Sequence, residues 1–588
     1  MRRFLSMFHR VSQVVCRPVF FPIAGLLAVI VLMLQPVQMG FSTADVLLLE
    51  TGIFIFLVSL LLLLLRRCSF HFTAVDLLLG LWLVYMILRA WFTPSVPCFP
   101  AVARVLSLAV LYAALRLLFS SVYTSSRVVE GVVLLFVCLE CLLCVYQLFI
   151  GTSRHSAYPI TGSFLNPGPC SAVFLVGACL GLCRFFFPVS SRTFSPWRAS
   201  VAFPLFTVLL CFLLLPLGWS RAALVSGLCC LLLSVWPHLS ARLRLFVVVA
   251  LLFVGVLLYL SKRGSADGRV LFWLVSSRSV ASHPLFGSGM DSFFLAYSRA
   301  TAALHGYLPG MLSVHADTLD YALADVVRVA VEQGIWGVVL ALMSVFIVFF
   351  RLRKRSQPLA LSLLGLLLFS LFSYPFQQLP FQLFFILMAS FAATPDESDA
   401  SACSRNGFIG HAAMALAGSI LAVSSSCLLL SPVRRHVRAV QESRLIVGRN
   451  NTRLLDEYAR LHPLMRHDAG FLFRYGQMLA SCGRYNESNH ILWQGTLVSN
   501  DAMFHVLRGH NYMHLQAYAQ ARRAYRLAHV QSPSRLYPLY CLMRFYRRVG
   551  QHGHAVRVAR VLLDMPSQPN SSLARKIKDE ARKCLCGQ

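Results

Sequence analysis

The chain is 588 residues long, 57% hydrophobic and only 13% charged, with a mean hydropathy of +0.67. Its repeated apolar runs of membrane-spanning length exclude an ordinary soluble globular protein and define an all-α polytopic membrane protein. The formal net charge of +30 lies in short loops and a polar tail rather than in one basic arm, so it excludes nucleic acid as partner and fits membrane topology and anionic membrane lipids.

The N-terminus, MRRFLSMFHRVSQVVCRPVFF, is basic and leads into a long apolar run with no small-residue cleavage pattern after it, which predicts a first membrane helix that is retained. At about 20 residues per crossing, the hydropathy places helices near 19–36, 44–65, 72–91, 101–119, 128–150, 169–187, 200–217, 221–236, 243–260, 334–350, 357–373, 377–394 and 411–431. That is about thirteen spans, with scarcely any charge inside them. Arginine and lysine fall in alternate loops: Arg2, Arg3, Arg10 and Arg17, then Arg66 and Arg67, then Arg184, Arg192 and Arg198, then Arg242 and Arg244, then Arg351 to Arg355. These mark the cytoplasmic side, and the loops at 37–43, 92–100 and 374–376, which carry no basic residue, lie outside. The expected organisation is a membrane bundle over 1–260, a large extracytoplasmic loop over 261–333, further spans over 334–431, and a polar extracytoplasmic tail over 432–588. Most of the 18 cysteines sit in apolar runs such as 227–233 and act there as small hydrophobes. No Cys-x-x-Cys pairs repeat at the spacing of a zinc site, so neither a metal nor a cofactor is expected.

Four outer-face stretches carry polar groups that a bilayer edge tolerates only at a cost. In YPITGSFLNPGPCSAVF the turn Gly162, Asn166, Pro167, Gly168 leads into a helix N-terminus, suited to an anion or simply an N-cap turn. In LPLGWSRAAL, Arg221 occupies a short hairpin on the face that disfavours arginine; its planar donors match phosphate, and the plain alternative is snorkelling. GSADGRVLFWLVSSRSVASHPLFGSGMDSFF begins just after Lys262 and Arg263 and contains Arg269, beside glycines that let backbone approach a ligand; this reads as a diphosphate site or as a solvated loop. SVHADTLDYALADVVRVAVEQGIWG holds His315, Asp317, Asp320, Asp325 and Glu332, candidates for a general base or ordinary helix-surface charges. Together these define an extracytoplasmic site for a phosphate-bearing lipid or sugar.

The tail is polar, rich in Arg and His, and helical in period. In RGHNYMHLQAYAQARRAYRLAHVQSPS, the residues Gly509, Tyr512, Tyr518, Ala521, Tyr525, Ala528 and Pro533 match the tetratricopeptide pattern. Ala555 follows Ala521 by one 34-residue period, and Gly476, Gly483 and Tyr485 carry an earlier unit. Such a domain binds a peptide or partner protein, or only caps the membrane domain.

Four stretches in order, TGSFLNPGPCSAVF, LPLGWSRAAL, SADGRVLFW with SHPLFGSGMDSFF, and DYALADVVRVAVEQGIWG, resemble the O-antigen ligase and polymerase family of bacterial membrane glycosyltransferases. FLFRYGQMLASCGRYNESN and RLYPLYCL resemble the tail of its Bacteroidetes-type variant with a C-terminal tetratricopeptide domain. The resemblance implies a C-type glycosyltransferase (GT-C) arrangement in the bacterial inner membrane, acting in lipopolysaccharide and cell-envelope polysaccharide biosynthesis. The donor is a polyprenyl-diphosphate glycan, and the acceptor is lipid A-core, another repeat unit or a protein. It also implies that Arg221 and Arg269 grip the donor diphosphate, to which the residue reading adds Lys262, Arg263 and Asn166 as donor-binding candidates. One family feature departs: the ligase histidine falls on Leu323, followed by Ala324, which leaves Asp325 and His315 as the alternatives for the acid-base group. A glycan flippase and a non-catalytic tetratricopeptide adaptor are the readings from other classes.

Overall fold

The computed structural model describes residues 20–34, 43–66, 72–93, 98–121, 125–155, 158–186, 199–250 except 219, 237–238 and 247, 263–304, 319–394 except 320, 429–445, 454–565 and 572–586. Among these residues every regular element is a helix. In chain order α1 is Phe20–Met33, α2 Thr43–Arg66, α3 Ala74–Phe92, α4 Phe99–Ser121, α5 Ser126–Ile150, α6 Pro167–Phe186, α7 Ala199–Leu214 and α8 Arg221–Val235. Then follow α9 Arg263–Ser282, α10 Phe293–Leu304, α11 Asp325–Arg355, α12 Gln357–Ser370 and α13 Leu379–Ala392. Four of these, α3, α4, α5 and α11, are long and apolar enough to cross a membrane, and α6, α7, α8, α12 and α13 are shorter apolar helices. Most of the predicted spans at 411–431 and 243–260 lies outside the described residues.

The helical body is held by close approaches at small residues, the packing available where lipid removes the hydrophobic drive between helices. Gly52 of α2 lies against Val110 and the Leu111 backbone of α4, and Gly365 of α12 against Cys179 and Cys230. The buried thiols Cys144 and Cys170 meet at 3.4 Å, and Cys141 and Cys211 at 3.8 Å, all as free cysteines filling small spaces. On α3 only 11% of the apolar window is buried, so this helix sits at the periphery and offers Leu81, Val84 and Trp91 outward.

Charge does enter these helices, against the expectation from hydropathy. Asp45 of α2 accepts from Arg104 of α4 at 2.7 and 3.0 Å. Asp76 accepts from Tyr112 at 2.6 Å and from the fully buried Arg116 at 3.3 Å. Glu130 accepts from Ser356 at 2.8 Å. Asp45 and Asp76 are thus paired with arginines across helices and Glu130 is hydrogen-bonded, as burial in a low-dielectric body requires.

The segment between α8 and α11 builds its own small core. Leu271, Phe272 and Val275 of α9 pack on Phe293, Tyr297 and Ala300 of α10 and on Val327 and Val331 of α11. α11 is broken at Gly334 (φ 68°, ψ −166°), where the chain turns before the helix resumes. The His283–Gly289 turn fills that break: Ser288 and Gly289 N–H donate to the carbonyls of Val331 and Glu332 at 2.8 and 2.9 Å, and Ile335 N–H to Pro284 at 2.9 Å. α3 closes the joint from outside, Arg89 donating to the Gly287 carbonyl at 3.0 Å and Trp82 Nε1 to Gln333 Oε1 at 2.8 Å. The stretches HPLFGSG and EQG are thus two halves of one backbone interlock.

A helix over 429–445 returns the chain along the body, where His436 stacks on Phe99 at 4.2 Å and Arg434 pairs with Glu50. The tail follows as α14 Leu454–Met465, α15 Ala469–Ser481, α16 Tyr485–Val498, α17 Met503–His514, α18 Tyr518–Gln531, α19 Leu536–Arg548, α20 His552–Asp564 and α21 Ser572–Leu585. Consecutive helices stack on one another through small-on-large contacts: a Cβ on Gly509 would lie 2.5 Å from the Tyr525 ring, and one on Gly476 2.6 Å from Leu492. Ala521, Ala528 and Ala555 are fully buried, whereas Tyr518, expected in the packing, is 44% exposed. The tail docks on the body through α10, where Gln531 donates to Ser298 at 2.7 Å.

Two tail histidines are held neutral. Burial, with Arg508 adding to it, pulls His505 down to about 4, and burial with the charge of His436 does the same to His467. In the unfolded chain both protonate at the ordinary histidine value near 6.5. Between about pH 6.5 and 4 the unfolded state therefore binds more protons, so stability is full above that window and falls as pH drops through it. At pH 5 the loss is roughly 2 kcal/mol per histidine. Melting curves of the solubilised protein at pH 7.5 and 5 should show this drop, and His505→Leu should remove its share.

Candidate functional site

The turn TGSFLN is fastened from α5. Gln147 Oε1 accepts from the N–H groups of Thr161 and Gly162 at 2.9 and 2.8 Å, and Gln147 Nε2 donates to the Gly162 carbonyl at 2.8 Å. Glu140, buried in the same helix, accepts from Ser163 N–H at 3.1 Å. Gly162 takes φ 59°, and a side chain there would strike the Glu140 carboxylate, which explains the glycine. Neither Gln147 nor Glu140 is announced by the sequence, where both sit in an apolar run.

This fastening delivers Asn166 to the 374–377 turn, where its amide donates to the Tyr374 hydroxyl at 3.1 Å. Tyr374 stacks on Tyr321 with ring centroids 4.5 Å apart and planes 6° from parallel. Next to that stack, Asp325 at the start of α11 accepts from Phe376 N–H and from Gln377 Nε2, both at 3.0 Å. Gln377 is itself locked onto the Ala322 backbone at 2.8 and 3.1 Å. Asp325 therefore holds the 374–377 turn to α11, a positioning task that any acid-base role would have to share.

Arg221 is the first residue of α8. Ser220 caps that helix by accepting from Ala223 N–H, and the preceding Gly218 packs on Ser171 in the first turn of α6. Arg269 stands on α9, half-buried, close enough to Arg221 for the two charges to repel. Burial first and Arg221 second pull the Arg269 guanidinium below its ordinary value. Arg221 and Arg269 thus stand on two helices, near enough for their charges to interact, and Asn166 and Asp325 both attach to the 374–377 turn. Arg263 begins α9 but its side chain is not described, and Lys262 and His315 lie outside the described residues.

Beside Asp325 opens a second cluster, of which the sequence singled out only Glu332. Arg328 donates to Glu332 at 3.0 Å and to Asp291 at 3.2 Å, and both acids line the same cavity as Arg104. Asp291 holds φ 59°, a left-handed conformation that Asp tolerates better than most residues.

Fold and site define an all-helical protein with apolar helices able to cross a membrane and a stacked helical tail against one end of the body. No family model matches the chain, and no curated protein matches it significantly.

Proposed function

We propose that the protein transfers a polyprenyl-diphosphate-linked glycan to an acceptor, lipid A-core or a protein, at the outer face of the bacterial inner membrane. The observation that supports this reading is that Arg221, at the start of α8, and Arg269, on α9, lie near enough for the charge of Arg221 to add to burial in lowering the Arg269 guanidinium. Such a pair gains most when a dianionic group sits against both. In glycosyl transfer with a diphosphate leaving group, negative charge grows on that group as the bond to the sugar breaks, and fixed cations stabilise it most at that moment. Arginines supply this charge with no metal required of the protein.

The same reading holds that about thirteen helices cross the bilayer, that the N-terminus is cytoplasmic, and that the tail is a periplasmic tetratricopeptide domain. Support for the tail comes from helix pairs beginning at 469 and 485, 503 and 518, and 536 and 552, close to a 34-residue period.

Glycan analysis in a deletion strain tests the proposal. Accumulation of long lipid-linked polymer identifies a ligase, whereas a single repeat on lipid A identifies a polymerase. Lipid-linked and surface glycans that both match the parent strain would overturn it.

A further inference from the structure

A cavity of about 1660 Å³ runs between α3, α4, α11 and α13. Along α4 it reaches from Arg104 to Arg116, or ~18 Å at the helical rise. Its walls are apolar, with Leu83, Leu108, Leu342, Val345 and Phe385 among them, and Trp82 borders it from α3. Both ends are polar. At the far end Asp76 is already occupied by Tyr112 and Arg116. At the mouth Arg104 is engaged by Asp45, and Arg328 by Asp291 and Glu332. Asp325 lines the mouth as well, so carboxylates outnumber cations there. Two more buried polar atoms on the lining, Gln382 Oε1 and His467 Nε2, make no hydrogen bond within the protein. Tail residues Ser499 and Asn500 border the same mouth.

This mouth is chemically the reverse of the Arg221–Arg269 pair. A phosphate is an anion that only accepts, and it would meet carboxylates in excess. A sugar hydroxyl donates to carboxylate, amide oxygen and imidazole nitrogen alike. We propose that the groove is a second substrate site, which takes the hydrocarbon chain of a glycolipid and presents its uncharged, hydroxyl-bearing head as the acceptor. This rests on the transfer reading above but changes its acceptor from lipid A-core or a protein to an uncharged glycolipid: acceptor and donor diphosphate occupy different places, and the tail helps to read the acceptor sugar.

The test uses the full chain in detergent and three probes with brominated hydrocarbon chains: a neutral dihexosyl diacylglycerol, phosphatidylglycerol and a polyprenyl diphosphate. Bromine quenches a tryptophan it touches, and the signal from Trp82 is the difference between the parent protein and Trp82→Phe. The glycolipid is expected to quench Trp82 at concentrations about tenfold lower than either anionic lipid. Filling the groove with Leu108→Phe and Val345→Phe should remove the quenching, and Asp291→Asn, which keeps the left-handed backbone accessible, should narrow the preference over phosphatidylglycerol. Equal quenching by phosphatidylglycerol would make the groove a place for bulk lipid, and preference for the polyprenyl diphosphate would make it the donor site; either overturns the proposal. Arg269→Ala is expected to leave the quenching unchanged, so a failure of the transfer reading and a failure of the acceptor groove are separable.

Discussion

Arg221→Ala and Arg269→Ala are each expected to abolish glycan transfer in cells while leaving the amount of protein in the membrane intact. Both residues are half-buried, Arg221 at the start of α8 and Arg269 in the second turn of α9, so the amount of protein in the membrane is read beside the glycan. Removing one fixed donor aimed at developing charge typically costs 10²- to 10³-fold, roughly 3 to 4 kcal/mol, enough to erase a glycan ladder on a gel. Under the proposed function the two arginines serve one diphosphate, so the double variant should lose little more than either single one. Arg269→Lys keeps the charge but loses the planar fork, so it should fall between parent and alanine. The check is a gel of surface glycans beside a blot for the tagged protein, and normal ladders in both alanine variants would defeat the assignment.

The apolar helices were legible because hydropathy is a one-dimensional property: α1 to α8 and α11 to α13 each fall on a predicted interval. The same averaging hid the chemistry inside them. A single Asp45, Asp76, Arg104 or Arg116 barely lowers the hydropathy of a 20-residue window, and each finds its partner on another helix, a pairing that one sequence does not encode locally. Tail packing at Gly509, Ala521 and Tyr525 was readable because small and aromatic residues recur at fixed helical offsets. Its docking onto α10 through Gln531 and Ser298 left no such signature. Arg221 and Arg269 were placed together by family resemblance, not by spacing, since 48 positions of sequence separate them. Asp325 was singled out by position as a candidate general base or a helix-surface charge, but its attachment to the 374–377 turn, made across elements, left no mark in the sequence.

Gly334 shows the limit of periodicity most sharply, because a helical pattern runs through it while the backbone does not. The tenth span was expected to start at this residue, yet α11 begins at Asp325 and is interrupted there. Its φ of 68° with ψ of −166° lies in a region that essentially only glycine occupies. A Cβ at Gly334 would lie 2.6 Å from the Gly287 nitrogen and inside the contact distance of the Leu285 carbonyl. At Gly287 (φ 69°) a Cβ would lie 2.5 Å from the Gln333 nitrogen, so each glycine makes room for the other's strand of backbone. Backbone strain of about 1 to 3 kcal/mol and an overpacking cost of similar size both apply. Gly334→Ala and Gly287→Ala should therefore each destabilise the protein by about 3 to 5 kcal/mol. The damage should also reach the mouth of the groove, since the interlock fixes Glu332 and, through it, Arg328. Gly131→Ala is the control: it lies within α5 with open space where its Cβ would stand, so it should be neutral or gain up to about 1 kcal/mol of helix propensity. Thermal melts of the three variants in one detergent decide the matter, and a Gly334→Ala protein that melts with Gly131→Ala would refute the interlock.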